Sequence, residues 1–348
     1  MLLFFLKNLQ SNGISSQIYS LINNEEIRVS TNVLVSTCSA YDYLNNIKPN
    51  LEKLTVQYYD TFSITNNFTG YFPDVTIGNF YNEFSTEFCG STAILVGLDA
   101  TARKKTSDNS SSSEAISSSG SSGTSSSSGG SESSGNSNNT NDKQNSGQEP
   151  PDVVTTPEDL IAGKSSLQSQ RGTENIGIAV FHEDTFCGVL TATETMCHML
   201  LQKKLDSCVV SVENPINTAN KVELQASPNK KPKITVNVDD DIPKIKIELS
   251  INADILTLED HVNYESNEIL EKFSQSAEKY FKKEIEDYLN KVCKEYNTDI
   301  DYFFSKALSQ FSTLSEWKNY NWKEKYKNAE FDVSVDVNVN SSLLLTKT

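Results

Sequence analysis

Three histidines, His182, His198 and His261, and two acidic clusters are the side chains that could carry catalysis or hold a metal. His182-Glu183-Asp184 sets an imidazole beside two carboxylates, a donor set a divalent cation could use. Neighbours in a hairpin turn point in different directions, however, and zinc sites draw their ligands from several segments. The three therefore read as solvated turn residues. His198 falls in a short amphipathic helical stretch and reads as a packed or surface side chain. Asp239-Asp240-Asp241 suggests calcium but lacks the alternating acidic spacing, the glycine and the distal Glu of an EF-hand loop. Placed before Ile242-Pro243, it reads as an acidic turn between strands. The chain has no G-x-S-x-G elbow, H-E-x-x-H pair, phosphate-cradling glycine loop or dinucleotide fingerprint. The expectation is a protein with no catalytic residues, no bound metal and no cofactor.

Cys38, Cys89, Cys187, Cys197, Cys208 and Cys293 include no C-x-x-C pair. They read as small, buried apolar positions, although an even count permits disulfides outside the cytosol. Trp317 and Trp322 flank Tyr320 in Ser315-Glu-Trp-Lys-Asn-Tyr-Asn-Trp-Lys-Glu-Lys-Tyr. One reading makes Trp317, Tyr320 and Trp322 an interface anchor, because Trp and Tyr are favoured at hot spots. The other, favoured here, has one or both Trp rings plugging the end of a core.

The balance of 46 acidic to 30 basic residues, net −16, leaves no basic face for a nucleic acid. It also suits anionic headgroups poorly, so membrane attachment would need a covalent lipid or a protein partner. No segment approaches the roughly 18 to 20 apolar residues of a membrane span. The opening Met-Leu-Leu-Phe-Phe-Leu-Lys is not a secretory signal as written; Leu3, Leu6 and Leu9 with Phe5 read as one face of a helix.

The elements that would position these residues divide the chain into three. Residues 1–100 form a partial α/β block: β-rich Ile27–Ser36, helix-like Tyr41–Ile47, a helical candidate over Leu51–Phe62, a helix over Ile77–Phe84, and a buried strand at Ala93–Leu98. Residues 101–171 are a linker, disordered through the Ser/Gly/Asn-rich tract Ser107–Gln148, where ordering would cost about 1–2 kcal/mol per residue with little apolar surface to bury. Residues 172–348 form an α+β region, divisible at 215/216. It opens with a hairpin, Gly177–Leu190, that turns at His182–Thr185 and carries Gly188 as a bulge or close backbone approach. Cys208–Val212 is another strand. Strict alternation then marks strands at Val222–Ala226, Ile234–Val238, Ile245–Ile251 and Phe331–Val339, each with one buried and one wetted face. A helix over Asn267–Tyr296, roughly 45 Å long, has Ser266 at its cap and an apolar stripe through Phe273, Ala277, Phe281, Ile285 and Tyr288. Thr298-Asp-Ile-Asp starts a second helix. The fold class is multi-domain α+β, with mixed or antiparallel sheets packed against helices.

The hairpin-to-helix run Gly177–Leu201 resembles the Ger(x)C family, the lipid-anchored third subunit of nutrient germinant receptors in endospore-forming bacteria. Similar too are Asp299-Ile-Asp-Tyr-Phe-Phe-Ser-Lys-Ala-Leu, the Trp317 and Trp322 segment, Glu26-Ile-Arg-Val-Ser-Thr-Asn-Val-Leu-Val and Ile77-Gly-Asn-Phe-Tyr-Asn-Glu-Phe. The resemblance implies a non-enzymatic subunit lipid-anchored at the outer face of the spore inner membrane. It would work with two integral membrane subunits, one permease-like, in starting spore germination; whether it touches the small-molecule germinant is left open. Family members begin with a signal peptide and a lipobox cysteine. This opening has neither, which implies a missing N-terminus and leaves the lipidation site unknown. Val35-Ser-Thr-Cys38 imitates a lipobox, but Glu25, Glu26 and Arg28 occupy its apolar region, so Cys38 is not assigned that role. The alternative is a secreted or surface solute-binding or scaffold protein unrelated to germination.

Overall fold

Two five-stranded sheets, each mixed, organise the chain. The computed structural model describes residues 2–5, 13–48, 65–106, 160–166, 168–217, 220–256 and 266–340. In the first sheet β1 (Leu2–Phe5), β2 (Val33–Ser36), β3 (Ser91–Leu98), β4 (Thr173–His182) and β5 (Thr185–Leu190) lie in sequence order. β1, β2 and β3 are parallel, and β4 and β5 return antiparallel. Parallel neighbours need crossovers. Helices α1 (Ser15–Ile22), α2 (Ala40–Asn46) and α3 (Ile77–Phe84) lie on them, α2 and α3 started by the Ser39 and Thr76 side chains, which accept from the N–H groups of Asp42 and Asn79. Every residue of β2 and β3 is buried, which is why they read as continuous apolar runs.

The opening residues correct the sequence reading. Leu2–Phe5 pair with Val33–Ser36 as a strand rather than forming a helix. A short unbroken apolar run fits a buried strand as well as a helix, and pairing decides it. The helical candidate at Leu51–Phe62 and the tract Ser107–Gln148 lie outside the described residues.

Leu98, the last residue of β3, pairs with Thr173, the first of β4. The chain between them therefore leaves and re-enters the same end of one sheet. Its ends are clasped. Asp99 accepts from the Ala102 N–H (2.8 Å) at the start of helix α4 (residues 100–106), and from the Ser169 N–H and hydroxyl (both 2.9 Å). The Arg103 guanidinium donates to the carbonyls of Leu98 (2.8 Å) and Ser165, while Glu174 accepts from the Gly163 N–H (2.6 Å) and the Ser165 hydroxyl. Leu160, Ala162 and Ser165 are buried. The expected linker over 101–171 is thus too long at both ends. The packed stretches are held mostly by polar bonds, so apolar patterning does not reveal them.

The expected boundary at residue 172 also moves, because the hairpin completes the first sheet. Gly177, at φ 91°, accommodates an irregularity where β4 crosses β3, and a Cβ there would stand 2.3 Å from the Leu190 carbonyl. Beyond it the side chains alternate: Ala179 and Phe181 enter the first core, Ile178 and Val180 the second. One strand is a wall of both cores.

The second sheet runs β10 (Glu330–Asn340), β9 (Lys244–Ile255), β7 (Lys221–Pro228), β6 (Cys208–Glu213), with β8 (Lys233–Asn237) also paired to β9. β10 runs parallel to β9 through the whole span Glu330↔Lys244 to Asn340↔Asp254. β8 takes the first part of the opposite edge of β9 and β7 the last. Helices roof the apolar face of this sheet. α5 (Ala192–Leu201) begins with a Thr191/Glu194 capping box. α6 (Asn267–Asn290) buries Phe273, Ala277, Phe281, Ile285, Tyr288 and Leu289 and passes into a π-helical turn, Lys291–Glu295. Ser266 stands at its N-cap but makes no side-chain capping bond. α7 (Phe303–Leu308), α8 (Leu314–Tyr320) and α9 (Trp322–Tyr326) close one end. The architecture is the expected multi-domain α+β arrangement of sheets roofed by helices.

Candidate functional site

The β4–β5 turn scatters its three polar side chains. Glu183, at φ 55°, pairs with Lys323 (2.7 Å). The Asp184 carboxylate accepts from the Ser15 hydroxyl (3.3 Å), and its carbonyl from the Ile14 N–H (3.2 Å). His182 turns toward Trp322 and Tyr326, and burial holds its imidazole below the ordinary value. The Asp239–Asp241 turn is equally divergent: Asp239 accepts from the Asn237 side chain (2.9 Å), Asp240 pairs with Lys244 (2.7 Å) and Asp241 with Lys325 (3.1 Å). Among the described residues, no three His, Cys, Asp or Glu side chains converge as a metal-holding set. All six cysteines are free thiols, and burial pushes Cys293 up to about 11 and Cys208 to about 12.

Trp317, Tyr320 and Trp322 do not offer an exposed anchor. Trp317 is 0% exposed, Trp322 1% and Tyr320 9%. The Trp rings stack with centroids 5.8 Å apart, and Phe88, which precedes β3 in the first sheet, packs edge-on against Trp317 at 5.2 Å. Lys325 covers Tyr320, its ammonium 4.0 Å from the ring centre. Both Trp rings are packed in the core, Trp317 against Phe88 from the first half of the chain. Their Ser/Lys/Asn-rich setting hides this, because the polar residues between them all lie on the outer side of two short helices.

The same junction holds a buried polar network that sequence reading missed. His198 Nδ1 on α5 lies 3.0 Å from Asp301 Oδ1 and 3.2 Å from the Tyr288 oxygen on α6. The Tyr288 hydroxyl donates to Asp301 Oδ2 at 2.6 Å. Asp299 accepts three backbone N–H bonds, from Asp301 (3.2 Å), Phe303 (3.1 Å) and Phe304 (2.7 Å), and so starts α7. Burial, with the Asp301 charge adding to it, still pushes its carboxyl up to about 7. The Tyr302 hydroxyl reaches across to Glu83 on α3 (2.8 Å), whose other oxygen accepts from the Thr92 N–H of β3 (3.1 Å). Lys291 pairs with Glu194 (2.8 Å), and the Tyr296 hydroxyl donates to the Val189 carbonyl (2.9 Å). Gly188 sits beneath that ring: a Cβ would stand 2.5 Å from it. Gly188 makes the close approach that the sequence allowed, and the bulge falls beside it at Cys187, since Val180 pairs with Gly188 but Phe181 with Phe186.

An imidazole, a phenol and a carboxylate in contact are groups that enzymes use. Here the His198 and Asp301 side chains are 4% and 0% exposed, so substrate has no route to them. Their chemistry is cohesive. They fix α5, α6 and the Asp299–Asp301 turn to one another, while Tyr302, Trp317 and β4 fix that assembly to the first sheet. Asp299-x-Asp301 inside an apolar stretch was the one available signal, since a buried charge needs partners.

Two family models match the chain, one over each half. Residues 1–100 match the family described as "Spore germination protein N-terminal domain", and residues 176–342 the family described as "Spore germination B3/ GerAC like, C-terminal". The chain belongs to the Ger(x)C family of spore germination proteins. A solved structure described as "Crystal Structure of the GerBC protein" is similar in fold, with a TM-score of 0.59 at 12% sequence identity, over 97% of this chain and 78% of that one. No curated protein matches the chain. Neither matching family is described as an enzyme family. Among the described residues, no helix is long and apolar enough to cross a membrane.

Proposed function

We propose that this chain is the non-catalytic C subunit of a nutrient germinant receptor. It works by contact, docking its sheets and helices against two integral membrane subunits, one of them permease-like. In this reading it sits at the outer face of the spore inner membrane, held by a lipid and by its partners. One acyl chain gives only marginal anchoring, so subunit contacts carry much of the attachment.

The observation that supports the reading most is the agreement of two family matches, over residues 1–100 and 176–342, with one continuous structure in which β4 serves both cores. A sealed His198–Tyr288–Asp301 network and divergent acidic turns fit a docking body better than a reaction centre. The test is deletion of the gene in the spore-former that carries it. Spores lacking it lose their response to at least one nutrient and still germinate with a non-nutrient trigger. Unchanged responses to every nutrient would refute the proposal.

A further inference from the structure

The β4–β5 turn, the residues after α6, and α9 meet around a void of ≈ 10 Å³ whose walls include His182, Thr298, Asp299, Trp322, Lys323 and Tyr326. Four residues on those walls each carry a buried polar atom without a protein hydrogen-bond partner: His182 Nδ1, Thr298 Oγ1, Trp322 Nε1 and the Tyr326 hydroxyl. Thr298 is 2% exposed, Trp322 1% and Tyr326 2%. Folded proteins leave only a few buried polar groups unpaired per hundred residues, so four around one small void point to an occupant.

The void matches the roughly 10–15 Å³ that one water needs, and a buried water makes two to four hydrogen bonds. The chemistry of the walls selects among occupants of that size. Trp322 Nε1 can only donate, which disfavours a cation. A halide is larger than the void and would face the Asp299 carboxyl. A neutral donor–acceptor satisfies all four atoms: it accepts from Trp322 and one hydroxyl, and donates to an imidazole nitrogen and the other hydroxyl. Burial keeps that imidazole uncharged, with a lone pair to offer.

We propose that this void is a binding site for a single ordered water bridging His182, Thr298, Trp322 and Tyr326. It joins the tip of the first sheet's hairpin to α9 and to the turn that follows α6. The joint between the two halves then holds a water beside its aromatic contacts, Phe88 on Trp317 and Trp317 on Trp322. The inference is independent of what the protein docks to.

Two measurements on the full chain decide it. A high-resolution crystal structure is expected to show one density peak within about 3.2 Å of at least three of the four atoms. Thr298→Val and Tyr326→Phe, which remove one polar atom each and keep the shape, are expected to lower the melting temperature by roughly 2–4 °C. An atom that is truly unpaired behaves oppositely, because its removal stabilises. A rise in melting temperature for either variant overturns the proposal, as does a crystal structure with no peak at the site or with an anomalous peak from an ion. The crystal structure stands as a test even where a variant does not fold.

Discussion

Deleting Ser107–Gln148 tests the claim that the Ser-rich tract belongs to a hairpin connection. β3 and β4 are antiparallel neighbours whose ends, Leu98 and Thr173, pair directly. The ends of the connection are clasped, so the span that closes between them is residues 107–159, which the deletion shortens from 53 to 11 residues. Loop-closure cost scales as (3/2)RT ln n, so shortening lowers it by about 1.4 kcal/mol. In a protein of this size that raises the melting temperature by roughly 3–5 °C. The clasp of Asp99, Arg103, Ser165, Ser169 and Glu174 stays intact, so both sheets keep their contacts. Differential scanning calorimetry reads the outcome as one cooperative transition, raised by a few degrees. A fall of more than about 5 °C, or a split transition, would show that the tract buries surface or that the two cores do not share β4.

Two further outcomes follow from the junction. Gly188→Ala drives a Cβ into the Tyr296 ring and displaces the Tyr296–Val189 hydrogen bond, so chemical denaturation should register a loss of about 1–3 kcal/mol; a neutral result would mean that the hairpin and the π-helical turn are not in contact. Asp299 titrates about 7 in the fold against 3.8 unperturbed. Its folded value is raised, so its neutral form stabilises the fold at low pH, and that contribution is lost as pH rises through about 7, with a ceiling of roughly 4 kcal/mol. Thermal melts should therefore fall between about pH 4 and pH 7, and Asp299→Asn should flatten that slope; an unchanged slope in the variant would remove Asp299 as its source.

What could be read from the sequence followed where one face meets water. β7, β9 and β10 announce themselves because Val, Ile and Leu alternate with Lys, Glu and Asp, and α6 because Phe273, Ala277 and Phe281 recur at four-residue spacing. Leu2–Phe5 carry no such contrast, so strand and helix are indistinguishable there until Val33–Ser36 pair with them. The partnership of β3 with β4 crosses the longest polar tract in the chain, so no local pattern pairs them. The contacts of His198 with Tyr288 and Asp301 join residues 90 and 103 positions apart, a distance that no local pattern records. Trp317 and Trp322 sit among Lys and Asn because α8 and α9 are short, and only their inner faces reach the core.

The most direct measurement is isolation of the full-length, affinity-tagged product from detergent-solubilised spore inner membranes, with subunit identification and stoichiometry by mass spectrometry. A docking subunit of a germinant receptor elutes with two polytopic membrane proteins at a fixed ratio. Elution alone, from membranes that demonstrably retain the receptor subunits, would contradict the account.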